Sequence, residues 1–199
     1  MASYAAIAEA SETVVELLRN RIAERSDVIS VDRSEIALVS PDDVGADSDV
    51  RLSVFLYDVA ENSAMKNQRA RSGEAGTKKQ APVVVDLRYL VTAFPSGSGG
   101  DDTANTLDQQ RVLGLAMQTL HDNSHLGADE LPASLAGTDI QITLEDEGTE
   151  ATADVWSSLR ETSLQPSVSY RLSPVEIDSR TEDHAEPASQ FGQDYKPPE

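Results

Sequence analysis

VVVDLRYLVTAF, Val83 to Phe94, is the stretch that decides the fold. Val83, Val85, Leu87, Tyr89, Val91 and Ala93 take every second position, with Asp86, Arg88 and Thr92 among the residues between them. A period of two sends side chains to opposite faces of an extended chain, so this is a strand with one face on a core. Pro95 and the Ser-Gly-Ser-Gly-Gly run to Gly100 end it. Proline has no N–H for a ladder, and serial glycines offer nothing to pack.

The period changes on either side. Downstream, Leu113, Ala116, Met117 and Leu120 form the apolar stripe of a helix from about Thr103 to Asp122, and Gly127 and Pro132 lie in the loop beyond. Ile140, Ile142 and Leu144 alternate with polar residues in another strand. Val155, Trp156 and Leu159 mark a short helix, started by Thr152 or a neighbour. Val168, Tyr170 and Leu172 form a last strand whose phase changes at Pro174, which implies an edge or a bulge. Upstream, Val50 to Tyr57 has the strand period, and two short apolar runs, Val28–Val31 and Ile36–Val39, precede it. The chain begins with an amphipathic helix from about Ser3 to Arg25, with Ile7, Ala10, Val14, Leu17, Leu18 and Ile22 on one face. Ser3 is placed to cap it, and Arg19, Arg21 and Arg25 sit where cations favour the helix dipole.

The expected fold class is therefore α+β: a small, mainly antiparallel sheet flanked by helices, with an extended C-terminal tail. Connections that pass through a helix leave room for some parallel neighbours. Residues 1–178 form the domain, interrupted by a long loop at 61–81 that has no periodicity, and residues 179–199 form a polar tail. Loops above about 12–15 residues are uncommon and tend to be functional or disordered.

Composition narrows the function. Asp and Glu number 35 against 16 Lys and Arg, a formal net charge of -19. Because the acids share segments with clear hydrophobic periodicity, the chain reads as a folded protein with a surface adapted to high salt rather than as a disordered one. At about 1 M salt the Debye length is ~3 Å, so self-repulsion is screened there and returns on dilution. A nucleic-acid partner, which needs a broad basic surface, is not expected. Nor is a membrane span or a signal peptide, since no run approaches ~20 apolar residues and no basic start precedes one. Cysteine is absent, which removes disulfides, thiolate catalysis and zinc–cysteine sites and makes a cytoplasmic origin the simplest reading.

Chemistry finds no seat. His121 and His125 have the spacing of a helical zinc pair, but Asn123 and Ser124 stand between them where the helix should end, and no glutamate takes the general-base position. Asp42, Asp43, Asp47 and Asp49 lack the ligand order of a calcium loop and read as a solvated turn. No serine sits in a Gly-x-Ser-x-Gly elbow, and the glycines 97–100 are not followed by Gly-Lys-Ser/Thr. No catalytic residue, cofactor or metal is expected.

One segment departs from the charge pattern. Lys66, Arg69, Arg71, Lys78 and Lys79 face only Glu74, and the chain has just one other lysine, Lys196. The segment reads either as a solubilising loop or as a basic arm that orders on an acidic partner. The tail poses the same choice: an ordinary free terminus, or an arm that docks through Phe191 and Tyr195.

Six runs taken together resemble a known family. VFLYDVAENSAMKNQR (54–69), DLRYLVTAF (86–94), QRVLGLAMQTLHDN (110–123), IQITLE (140–145), DVWSSL (154–159) and PSVSYRLSPVEI (166–177) follow the order found in the cap, or tail-terminator, proteins of extracellular contractile injection systems such as the antifeeding prophage and the Photorhabdus virulence cassette. The resemblance covers about Ile7 to Ile177. It implies a tail-terminator-like fold and a non-enzymatic subunit of a homo-hexameric ring. That ring would end the inner tube and anchor the last sheath layer, making inner tube protein and sheath protein its partners. It also implies assembly in the cytoplasm and then residence in a released extracellular particle. The acidity departs from ordinary members and suggests a haloarchaeal one. The alternative is a monomeric adaptor or assembly factor for a tailed provirus or injection particle.

Overall fold

A computed structural model of the chain describes residues 4–25, 29–45, 47–65, 71–72, 77–96, 101–127, 130–135, 137–145, 148–159 and 163–184. In chain order the elements are α1 (Ala6–Ala23), β1 (Ile36–Ala37), β2 (Leu52–Glu61), β3 (Arg71–Ser72), β4 (Thr77–Lys79), β5 (Val83–Ala93), α2 (Asp102–Asp122), β6 (His125–Leu126), β7 (Ile140–Leu144), α3 (Gly148–Ser158), β8 (Ser167–Ile177) and β9 (Glu182–His184). Six strands form one mixed sheet in the order β1-β2-β5-β8-β7-β6, and β3-β4-β9 form a small second sheet. The architecture is α+β, as the period changes imply.

β5 takes the central role that its sequence announces. It pairs antiparallel with β2 from Leu52↔Ala93 to Glu61↔Val85, and with β8 from Val83↔Ile177 to Thr92↔Ser167. Cross-strand rows on the inner face join Ile142, Leu172 and Leu87, and then Val168, Val91 and Val54. These rows share one core with Ala6, Ala10, Val14, Leu18 and Ile22 of α1 and with Val112, Ala116 and Leu120 of α2. Each Val, Leu or Ile side chain taken from water stabilises by about 1.5–3 kcal/mol, which is why the helices seat on this face. One polar pair enters the core: the Ser11 and Tyr89 hydroxyls lie 2.7 Å apart, so each partners the other.

The opposite face is covered only in part. Leu90 and Thr92 of β5 are also buried, so the central strand is enclosed on both faces where a simple alternation leaves one face open. Trp156 of α3 is itself buried and is anchored to β8 beside this strand, its indole N–H donating to Oγ of Ser167, the residue opposite Thr92, at 3.0 Å. Val83, which the alternation assigns to the apolar face, is 55% exposed at the strand's end.

Other differences have local causes. α1 begins after Ala5, with no side-chain cap at that position, and Ser3 lies outside the described residues. On α2 the buried face runs through Gln109, Val112, Leu115, Ala116, Thr119 and Leu120, rotated from the expected stripe. The rotation is tolerated because the Gln109 amide is satisfied, donating to Ala93 O at 2.7 Å and Gln165 Oε1 at 2.8 Å. The one parallel pair is β1 with β2. β8 inserts between β5 and β7 and runs antiparallel to both, so the helical connections create no parallel neighbours. Pro174 sits at a bulge, as its phase change implies: the ladder passes from Val85↔Val175 to Leu87↔Leu172, two residues facing one. β3 and β4 lie within the segment 61–81 and β9 within the segment 179–199. Ladders of two or three residues are too short for a period to be visible in sequence.

Candidate assembly surfaces

The basic segment leaves the body from a fixed point. At the end of β2, Asn62 N–H donates to Val84 O at 2.9 Å, and its Nδ2 donates to Asp86 Oδ1 at 2.7 Å and Ser173 Oγ at 3.0 Å. Ser173 Oγ in turn donates to Asp86 Oδ1 at 2.5 Å. Asp86 is the residue opposite the Ser173–Pro174 bulge, so the bulge lets one carboxylate gather β2, β5 and β8. A half-buried carboxylate whose acceptors are satisfied stabilises its neighbours rather than seeking a ligand.

Of the residues singled out from sequence, Lys66, Arg69, Phe191 and Tyr195 lie outside the described residues. Arg71 stands on β3 and Lys78 and Lys79 on β4, with Arg71 opposite Lys79. β9 completes the ladder and places Asp183 opposite Lys78 and Glu182 opposite Lys79. The structure thus brings three of the basic residues into one small sheet and sets acids of the C-terminal segment beside them. Sequence reasoning missed β9; the acids of Glu182-Asp183 against Lys78-Lys79 were the signal.

A second charged feature occupies the outer face of the large sheet. Arg88 Nη1 meets Asp58 Oδ2 at 2.7 Å, Arg88 Nε meets Glu145 Oε2 at 3.0 Å, and Arg171 Nε lies 3.3 Å from Glu145 Oε1. The Glu145 side chain is 7% exposed, whereas those of Arg88 and Arg171 are 29% and 39% exposed. One carboxylate therefore holds two guanidiniums that would otherwise repel across the β5–β8 pair. Elsewhere Arg51, nearly buried, ties the start of β2 to α2 through Asp108 Oδ2 at 2.5 Å and donates to Phe94 O at 3.2 Å.

Among the grooves beside α1, two have apolar floors. One, of about 560 Å³, lies between α1 and the 126–132 segment. Its floor is Leu17, Leu126, Leu131 and Pro132, and its rim carries Glu9, Glu12, Glu16, Glu24 and Glu130 against one cation, Arg21. Glu16 is held by Arg19 at 2.9 Å and Arg33 at 2.6 Å, which lowers its pKa chiefly through the Arg19 hydrogen bond. The other groove, of about 600 Å³, runs between α1 and the β1–β2 edge past Tyr4, Leu38 and Phe55.

The histidines do not converge: α2 ends at Asp122, leaving His121 on its last turn and His125 on β6. Among the described residues no group of three or more His, Asp or Glu is placed to hold a metal ion. Asp42 and Asp43 belong to a short 3-10 turn capped by Ser40. Tyr89 is pushed up to about 12 by burial, opposed by its bond to Ser11, and Tyr170 is raised for the same reason; both are structural phenols. No described helix is long and apolar enough to cross a membrane.

The chain itself matches a family model. The model describes the Pvc16 N-terminal domain and covers residues 9–190. The chain belongs to that family. The fold is also that of the PVC sheath/tube terminator of an extracellular contractile injection system in its extended state, with a TM-score of 0.65 at 19% identity. That likeness covers 97% of this chain and 64% of the terminator. The tube-terminating cap of the anti-feeding prophage is similar, with a TM-score of 0.62 at 20% identity over 94% of this chain and 61% of the cap. The Pvc16-family chain thus spans less than two thirds of either structure. No curated protein matches the sequence.

Proposed function

We propose that this Pvc16-family chain is the cap subunit of a phage-tail-like contractile injection system. Six copies form a ring that ends the inner tube and anchors the last sheath layer. The observation that carries this reading is the family match over 9–190, joined to a shared fold with the PVC sheath/tube terminator over 97% of the chain. The role asks for no catalysis. It asks for a rigid body, which the doubly covered β5 and the Asp86 and Glu145 nodes provide, and for surfaces that meet neighbours. The basic segment with Lys66, Arg69, Arg71, Lys78 and Lys79 serves as one such surface, and the C-terminal segment with Phe191 and Tyr195 as another. Assembly occurs in the cytoplasm, and the finished ring leaves with the extracellular particle. The net charge of -19 and the scarcity of lysine support a home in high salt, with a haloarchaeal source.

The test is the molar mass of the purified chain by light scattering in about 2–3 M salt, where screening lets acidic surfaces approach. The ring reading expects a mass near six subunits. A monomer at every concentration would favour a monomeric adaptor instead.

A further inference from the structure

We propose that the groove between α1 and the 126–132 segment receives the basic segment 66–79 of a second copy. This deepens the ring reading above by naming the contact that joins adjacent subunits. Two bodies of net charge -19 repel over most of their surfaces, so self-contact must use the segment where the sign reverses. That segment carries Lys66, Arg69, Arg71, Lys78 and Lys79 against Glu74. The groove presents the complement: of the five carboxylates on its rim Glu16 is held by Arg19 and Arg33 and Glu24 by Arg21, which leaves Glu9, Glu12 and Glu130 to face a cationic visitor over an apolar floor. Lysine and arginine are suited to such a place, because their stems lie on apolar surface while their heads reach the rim. A volume of about 560 Å³ accommodates a few such side chains.

The placement also fixes the kind of contact. The basic segment leaves the sheet beyond Glu61 of β2 and returns into Val83 of β5, whereas the groove lies on α1 beside Leu126 of the β6 edge. Donor and acceptor are different surfaces, so the contact is head-to-tail. Such contacts propagate around a ring and do not stop at a two-fold pair. Lys78 and Lys79 already stand opposite Asp183 and Glu182 in the small sheet. Lys66 and Arg69, which precede that ladder in sequence, are therefore the residues to reverse on the donor side. Glu12 and Glu130, both exposed, are those to reverse on the acceptor side.

The experiment uses the full chain at about 1 M salt, where long-range repulsion is screened and close pairs persist. Two double variants, Glu12→Lys with Glu130→Lys and Lys66→Glu with Arg69→Glu, are weighed by light scattering across concentration. Each is expected to raise the dissociation constant by about tenfold or more. Combining all four should restore association to within about threefold of wild type, since the charges are then exchanged rather than lost. Unchanged melting curves keep folding out of the result. Self-association that both doubles leave intact overturns the proposal. So does a four-site variant no better than the doubles, or a wild type that stays monomeric. Cross-links between groove and segment that form only within one copy, read from mixed isotopic labels, overturn it too. The two readings fail separately. If the doubles dissociate but wild-type rings ignore tube ends, the contact stands and the cap role falls. If wild type caps tubes and the doubles do so equally, the contact falls alone.

Discussion

The two faces of the large sheet are built on different principles. The inner face is a continuous apolar surface, from Ile142 through Leu172 and Leu87, closed by α1 and α2. The outer face sets buried Leu90 and Thr92 beside the Asp58–Arg88–Glu145–Arg171 chain of ion pairs. Apolar burial is non-directional and tolerates small shifts, so it fixes that the helices sit there. Charged pairs demand geometry, so they fix register across β2, β5, β8 and the end of β7 while leaving that surface hydrated. Stability therefore rests mainly on the inner face, and the outer face fixes strand register.

Substitutions can break that contrast. The largest effect belongs to the inner face: Leu87→Ala, at a fully buried position, should cost about 2–5 kcal/mol in urea unfolding. A cost below that of outer-face substitutions would reverse the comparison. Next comes pH. Tyr89 keeps its proton in the folded state to about pH 12 but loses it near pH 10 when unfolded. Stability should therefore fall as pH rises through this window, by on the order of 2–3 kcal/mol, with Tyr170 acting in the same direction. Tyr89→Phe should flatten the alkaline limb measured by thermal melts.

The inner face was legible because the signal there is a period. Val85, Leu87, Tyr89, Val91 and Ala93, and α1 with Ala10, Val14, Leu18 and Ile22, are buried as their spacing requires. The resemblance carried by the six runs led to the same fold. The outer face was not legible, because Asp58, Arg88, Glu145 and Arg171 come from four strands or strand ends and meet only through register. The same holds for the basic surface. Lys78 and Lys79 stood out by composition, but their pairing with β9 rests on three residues far along the chain. Gln109 shows a third failure: a polar residue took a core position because backbone and side-chain acceptors awaited its amide.

Smaller effects sharpen the contrast. Glu145→Ala leaves two guanidiniums facing each other, and since both are partly exposed the cost should be about 1–2 kcal/mol, falling as salt rises. Asp108→Asn weakens the only carboxylate contact described for nearly buried Arg51 and should cost about 1 kcal/mol or more by the same measurement. A loss from Glu145→Ala that does not depend on salt would mean that packing, not charge, holds the outer face.

The central claim is that this chain closes the end of a tube. The most direct measurement is to add the purified protein to uncapped inner tubes in high salt and image them by cryo-electron microscopy. The account predicts a ring of density at a tube end and none along its length. Tubes whose ends stay bare while the protein remains soluble, or tubes decorated along their sides, would contradict it.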